Sequence, residues 1–140
     1  MFTDYWVNFL WKRTLGASVY NASSSDGKVR AYAFGGAPPS PFAAPECAAL
    51  AVLLLNLHNA SVVAGLPTAG GFAAWSLAPQ DGVFGGTATL NSAALATTID
   101  VARVDPNTFL GSITVPPVRG KNADGVTLPP ASVTFVCLGQ

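Results

Sequence analysis

The chain has 140 residues with no net charge, and it is 50% hydrophobic and only 10% charged, where an ordinary soluble domain carries about 25% charge. That length allows one domain with a real core. The absence of a basic cluster excludes nucleic acid and anionic membrane surfaces as partners on charge grounds, and no apolar run approaches the ~20 residues of a membrane span.

Met1-Phe2-Thr3-Asp4 lacks the positive n-region of a signal peptide, so the start is expected to be internal to a larger polypeptide. Residues 3–15 read as a helix. Thr3 is a good N-cap, Asp4 suits the positive end of the dipole, and Phe2 and Val7 are spaced for a hydrophobic staple. Lys12 and Arg13 suit the last turn, and Gly16 is expected in the left-handed C′ position. Trp6, Phe9, Leu10 and Arg13 fall at helical spacing, while Tyr5, Val7 and Trp11 leave few polar faces. This is an ordinary core helix or, on a sharper reading, one that joins the domain to another. In the second case the Trp6/Phe9/Leu10 face would be an exposed patch on the isolated chain.

From Ala17 onward every segment reads as strand and turn. Ser18–Asn21 is a short strand, Ser23–Gly27 a hairpin turn, and Lys28–Phe34 a strand with Arg30, Tyr32 and Phe34 on one face. Gly35–Pro45 holds four of the eleven prolines and is expected to be an exposed loop. Ala48–Leu55 is an unbroken apolar run, neither striped like an amphipathic helix nor alternating like a half-buried strand. It reads as an inner strand covered on both faces, with Leu50, Val52 and Leu54 on one side and Ala51, Leu53 and Leu55 on the other. Gly65–Gly71 turns the chain, Phe72–Leu77 is a strand, and Pro79–Gly82 is the next turn. Thr87–Leu90 alternates and ends at Asn91-Ser92, and Leu95–Val104 and Thr108–Val115 are further candidate strands. Ala131–Leu138 alternates most cleanly, with Val133, Phe135 and Cys137 expected inward and Ser132 and Thr134 outward. Short strands separated by Gly, Pro and Asn turns make the fold mainly β, an antiparallel β-sandwich preceded by one N-terminal α-helix.

Little in the chain could carry chemistry. Glycoside hydrolysis ordinarily needs two carboxylates facing one bond, and the single glutamate, Glu46, sits in the Pro-rich loop. The aspartates (Asp4, Asp26, Asp81, Asp100, Asp105 and Asp124) fall mostly beside Gly, Pro or Ser and read as solvated turn formers. Asp100 and Asp105 are the one pair to suspect. His58 is the only histidine and lacks a G-x-S-x-G elbow, so it reads as a strand-end residue that hydrogen-bonds. One His and two cysteines without CxxC spacing make neither a metal site nor a disulfide framework, no phosphate loop precedes a helix, and no cofactor is implied. The sequons Asn21-Ala22-Ser23 and Asn59-Ala60-Ser61 mark Asn21 and Asn59 as possible glycosylation sites at strand ends, should the protein be secreted.

Several segments, taken in order, resemble the C-terminal part of heparanase-like enzymes, glycoside hydrolase family 79. They are Asp4-Tyr5-Trp6 with Lys12-Arg13 and Leu15-Gly16; Val29-Arg30-Ala31-Tyr32; Leu55-Asn56-Leu57-His58-Asn59-Ala60-Ser61; Thr89-Leu90-Asn91-Ser92 with Leu95; and Leu128-Pro129-Pro130 with Ser132 and Phe135. The resemblance implies that residues 1–16 are the last helix and exit of a (β/α)8 barrel and that residues 17–140 are the C-terminal β-sandwich. It implies a retaining parent enzyme acting on uronic-acid-containing glycans, with both catalytic glutamates on barrel strands. No catalytic residue carries over to this chain. The implied partners are the barrel and, through it, the glycan substrate. The implied location is secreted, lysosomal or membrane-associated through the parent. A tail-to-strand bridge in the family implies that Cys47 and Cys137 lie close enough to bond, although here Gly35 and Gly36 follow the Arg-x-Tyr strand and Cys47 comes after an inserted loop. A free-standing carbohydrate-binding or adhesion-type sandwich is the alternative.

Overall fold

A computed structural model describes residues 2–37, 43–80, 88–94 and 116–139. The expected strands at 95–104 and 108–115, the second half of the turn at 79–82 and the middle of the Pro-rich loop lie outside the described residues. In chain order the elements are α1 (Phe2–Thr14), β1 (Leu15–Tyr20), β2 (Val29–Gly36), a 3-10 turn (Pro45–Cys47), β3 (Leu50–Asn56), β4 (Val62–Ala64), β5 (Gly71–Pro79), β6 (Ala88–Leu90), β7 (Ala93–Ala94), β8 (Val118–Lys121), a second 3-10 turn (Asn122–Asp124), β9 (Val126–Leu128) and β10 (Val133–Leu138). The fold is therefore mainly β with one N-terminal helix, as the turn spacing predicts, and every strand pairing among the described residues is antiparallel. The main sheet runs β1-β2-β3-β10-β5-β6-β7, with β8 also on β5, and β4 pairs β9 in a separate two-stranded sheet.

The apolar run becomes β3, an inner strand between β2 and β10. Its two faces divide as alternation requires. Ala51, Leu53 and Leu55 join Phe135, Cys137, Trp75 and Leu77 under the helix, whereas Leu50, Val52 and Leu54 join Val136, Leu138, Phe72 and Ala74 under the small sheet. Both covers come from this chain: α1 on one side and β4–β9, through Val126 and Leu128, on the other. This corrects the outward assignment on β10. Thr134 and Ser132 are buried, and the Thr134 and Ser76 hydroxyls bond to each other at 2.9 Å between β10 and β5. A polar side chain can face a core when a partner stands opposite it in the ladder.

The helix differs from expectation in three ways. Trp6, Phe9 and Leu10 do not form an exposed patch; they are buried in the helix-side core, with Trp6 edge-on to Phe9 at 5.8 Å. Thr3 lies within the helix rather than at its cap. Gly16 is not left-handed but part of β1, which leaves the helix without an intervening loop. Other groups finish the helix. The Thr14 hydroxyl bonds back to the Leu10 carbonyl at 2.7 Å, and the Ala44 N–H donates to the Arg13 carbonyl at 2.9 Å, which satisfies one of the last four carbonyls from outside the helix. Gly16 is required by close approach instead, because a Cβ there would collide with the Gly36 carbonyl. The β1 register against β2 shifts between Leu15 and Val19, as a bulge does.

The Pro-rich segment is not simply an exposed loop. Its described ends extend β2 through Gly36 and bury Ala37, Ala44 and Cys47, with Ala37 N–H bonded to the Cys47 carbonyl. Asn91 and Ser92 form the two-residue β6–β7 hairpin turn, both at positive φ (49° and 68°), as this turn demands. The Asn91 side chain also continues the ladder on β5 between β6 and β8. Its carbonyl accepts from Ser76 N–H at 2.8 Å, and its amide reaches the Ala74 and Pro116 carbonyls.

Candidate functional site

At the sheet end where Val29 opens β2 opposite Asn56 closing β3, two loops meet. The first, after β1, is built as an Asx turn. The Ser24 hydroxyl accepts from Asp26 N–H at 3.1 Å, one Asp26 oxygen accepts from Lys28 N–H at 2.8 Å, and the Asp26 carbonyl accepts from Val29 N–H. The second loop follows β3 and is organised by Asn56, whose side chain is almost fully buried. Asn56 Nδ2 donates towards the carbonyls of Ala60 (3.0 Å), Pro129 (2.7 Å) and Leu128 (3.3 Å), while Oδ1 accepts from His58 N–H at 3.0 Å. One amide thereby ties the main sheet, its exit loop and the end of β9 together.

His58 and Asp26 close the junction, Nε2 to Oδ2 at 2.8 Å, with both side chains partly exposed. His58 is thus a hydrogen-bonding strand-end residue, and Asp26 is its partner rather than a merely solvated turn carboxylate. Nothing in the sequence signals the pairing, because the two are 32 residues apart. The Lys28 N–H, then the His58 bond and the positive charges of His58 and Lys28, hold the Asp26 carboxyl below its ordinary value. A group with a depressed folded pKa adds stability above its unfolded pKa and loses it as pH falls through the folded one. Asp26→Asn is therefore expected to lower the urea midpoint at pH 7, with the gap to wild type closing as pH falls below the ordinary carboxyl value of 3.8. A gap that is constant with pH would show that the carboxylate charge contributes nothing.

Next to this junction an apolar groove of about 840 Å3 opens between the β2–β3 face and β4, floored by Ala31, Ala33, Val52 and Leu54 and rimmed by Tyr20 and the 21–26 loop. Its size is that of a ligand pocket, but Asp26 is its one carboxylate among the described residues. Glu46 stands on the other side of the sheet, paired with Arg119 at 2.6 Å. Asp124 is exposed in the second 3-10 turn, and Asp81, Asp100 and Asp105 lie outside the described residues. The structure thus brings Asp26 to His58 and Glu46 to Arg119, and the sequence foretold neither partner.

No family model matches this chain, and no curated protein matches it.

The remaining candidates are the cysteines and the sequons. Cys47, in the 3-10 turn before β3, and Cys137, in β10, form a disulfide with Cα atoms 4.8 Å apart, both side chains fully buried in the helix-side core. Asn21 and Asn59 are exposed, one on each of the two loops that the Asp26–His58 pair joins. No described helix is long and apolar enough to cross a membrane.

Proposed function

We propose that this chain is the non-catalytic C-terminal β-sandwich domain of a heparanase-like, family 79 glycoside hydrolase. The parent cleaves uronic-acid-containing glycans with retention, and a (β/α)8 barrel supplies the acid and the nucleophile. The observation that carries this reading is the junction at Thr14–Leu15. A helix bearing the Asp4-Tyr5-Trp6 and Lys12-Arg13 segments runs without a loop into the first strand of an antiparallel sheet and shares its core. The other resembling segments fall on strands and turns of the sheet: Val29–Tyr32 in β2, Leu55-Asn56 at the end of β3, Thr89–Ser92 at the β6–β7 hairpin, and Phe135 in β10. Among the described residues Glu46 pairs with Arg119 and Asp26 with His58, and this supports placing the hydrolytic pair in the barrel, since a retaining mechanism needs two carboxyls about 5–5.5 Å apart. The buried disulfide supports a parent that matures in an oxidising compartment, secreted or lysosomal.

The second reading, a free-standing carbohydrate-binding module, is favoured by the groove, where the exposed Tyr20 stands beside the polar 21–26 loop. Two measurements separate the readings. Sequencing the transcript upstream of the Met1 codon is expected to find a barrel-coding region with two strand-end glutamates; a transcript without one overturns the domain reading and leaves the module. The purified chain is expected to release nothing from a chromogenic β-glucuronide. Turnover that the Asp100→Ala/Asp105→Ala variant lacks would move the active site into this domain.

A further inference from the structure

We infer that Asn21 and Asn59 are both N-glycan acceptors, and that the two glycans stand together on the loop pair clasped by Asp26 and His58. This rests on the secretory placement given above. Four observations carry it. Both cysteines of the chain are joined in a buried disulfide, which supports folding in the compartments where sequons are modified. Both acceptor asparagines are exposed, as are the Ser23 and Ser61 hydroxyl positions that complete the sequons. Neither acceptor amide serves in the hydrogen-bond framework of the described residues, whereas the amides of Asn56, Asn91 and Asn122 are each committed to backbone carbonyls. The asparagines in sequons are therefore those whose nitrogen can be substituted without breaking the fold. Finally, the second sequon is held in place, because the carbonyl of its middle residue, Ala60, accepts from Asn56 Nδ2 at 3.0 Å, and this presents Asn59 outward on a fixed bend.

The transfer needs a lipid-pyrophosphate-linked oligosaccharide as donor. The asparagine Nδ2 attacks the anomeric carbon of the donor's reducing-end N-acetylhexosamine. The N–C bond forms, the C–O bond to the pyrophosphate breaks, and the amide proton leaves with the lipid pyrophosphate; no electron donor or acceptor is required. The Asn21 glycan would stand at the mouth of the apolar groove, which Asn21 itself lines beside Tyr20. A hydrophilic cover there suits a chain with so few charges of its own.

The test translates the full chain, behind a cleavable secretion leader, with endoplasmic-reticulum microsomes. The protease-protected product is expected to carry two steps of mobility sensitive to endoglycosidase H. Asn21→Gln and Asn59→Gln should each remove one step, and the double variant both. The unglycosylated double variant, purified and unfolded in urea, should keep the midpoint of unglycosylated wild type. A protected chain with fewer than two steps, or a double variant with a lowered midpoint, overturns the inference. A transcript without a barrel would leave this result unchanged, so the two proposals fail separately.

Discussion

Removing the disulfide with Cys47→Ala and Cys137→Ala together is expected to lower the free energy of unfolding by about 4.5 kcal/mol in the chain-entropy account. The bridge spans a sequence separation of 90, and a cross-link closing so long a loop restricts the unfolded chain strongly. Against the 5–15 kcal/mol of a typical domain, a loss of that size leaves a marginal protein. The native-state cost of the substitution is small by comparison, because each Cys→Ala change deletes one sulfur from a core built of Ala51, Ala73 and larger side chains. Urea unfolding of the double variant beside wild type measures the difference directly. A loss under about 1 kcal/mol would mean that the unfolded chain is already confined without the bond. Because both sulfurs are fully buried, dithiothreitol is expected to leave the bond intact below the unfolding transition and to break it only within the transition. Rapid reduction under native conditions would place the bridge at a locally opening edge.

Asn56→Asp is the second large effect, expected at about 3 kcal/mol or more at neutral pH. The side-chain amide that donates towards the Ala60, Leu128 and Pro129 carbonyls would be replaced by an oxygen facing the same three acceptors in a buried site. The loss combines forfeited hydrogen bonds with an unpaired buried charge. Its sign with pH distinguishes the two. A buried carboxyl surrounded by acceptors has a raised pKa, so its neutral form is the one the fold tolerates. The deficit against wild type should therefore be smallest below about pH 4 and widen as pH rises towards 7. Asn56→Ala, which loses the bonds without adding a charge, should show a deficit with no such slope. Equal slopes for the two variants would remove the charge from the explanation. The same variant probes the joint between the two sheets, because the Asn56 amide links the end of β3 to the strand that pairs with β4.

The parts of this protein legible in its sequence are those specified by local period and turn chemistry. The helix, β2, β3, β5 and β10 lie where hydrophobic runs and Gly, Pro and Asn turns put them, and the two-sided burial of β3 follows from the lack of any polar position between Ala48 and Leu55. The three- and four-residue strands β4, β8 and β9 were not legible. Val62–Ala64 and Val126–Leu128 are too short for a period to register, and they become strands only by pairing with each other, Val62 with Leu128 and Ala64 with Val126, across nearly half the chain. Thr134 shows the same limit from another side. Its alternation in β10 is real, but which face is wet depends on what covers it, and β4–β9 covers the face that alternation alone would leave to solvent.

The candidate site divides in the same way. The sequence by itself determined that sequons stand at Asn21 and Asn59, that His58 follows closely on a strand, and that its one glutamate cannot make a pair of glutamates. Only the tertiary structure decided that His58 meets Asp26, that Glu46 meets Arg119, that the amide of Asn56 holds three carbonyls, and that the helix face at Trp6, Phe9 and Leu10 is covered from within the chain. The physical reason is range. Periodicity, capping and turn preference act over a few residues and leave a mark in sequence order. A salt bridge or a satisfied amide depends on distances between segments that share no local pattern, and those distances exist only after the sheet has closed its order.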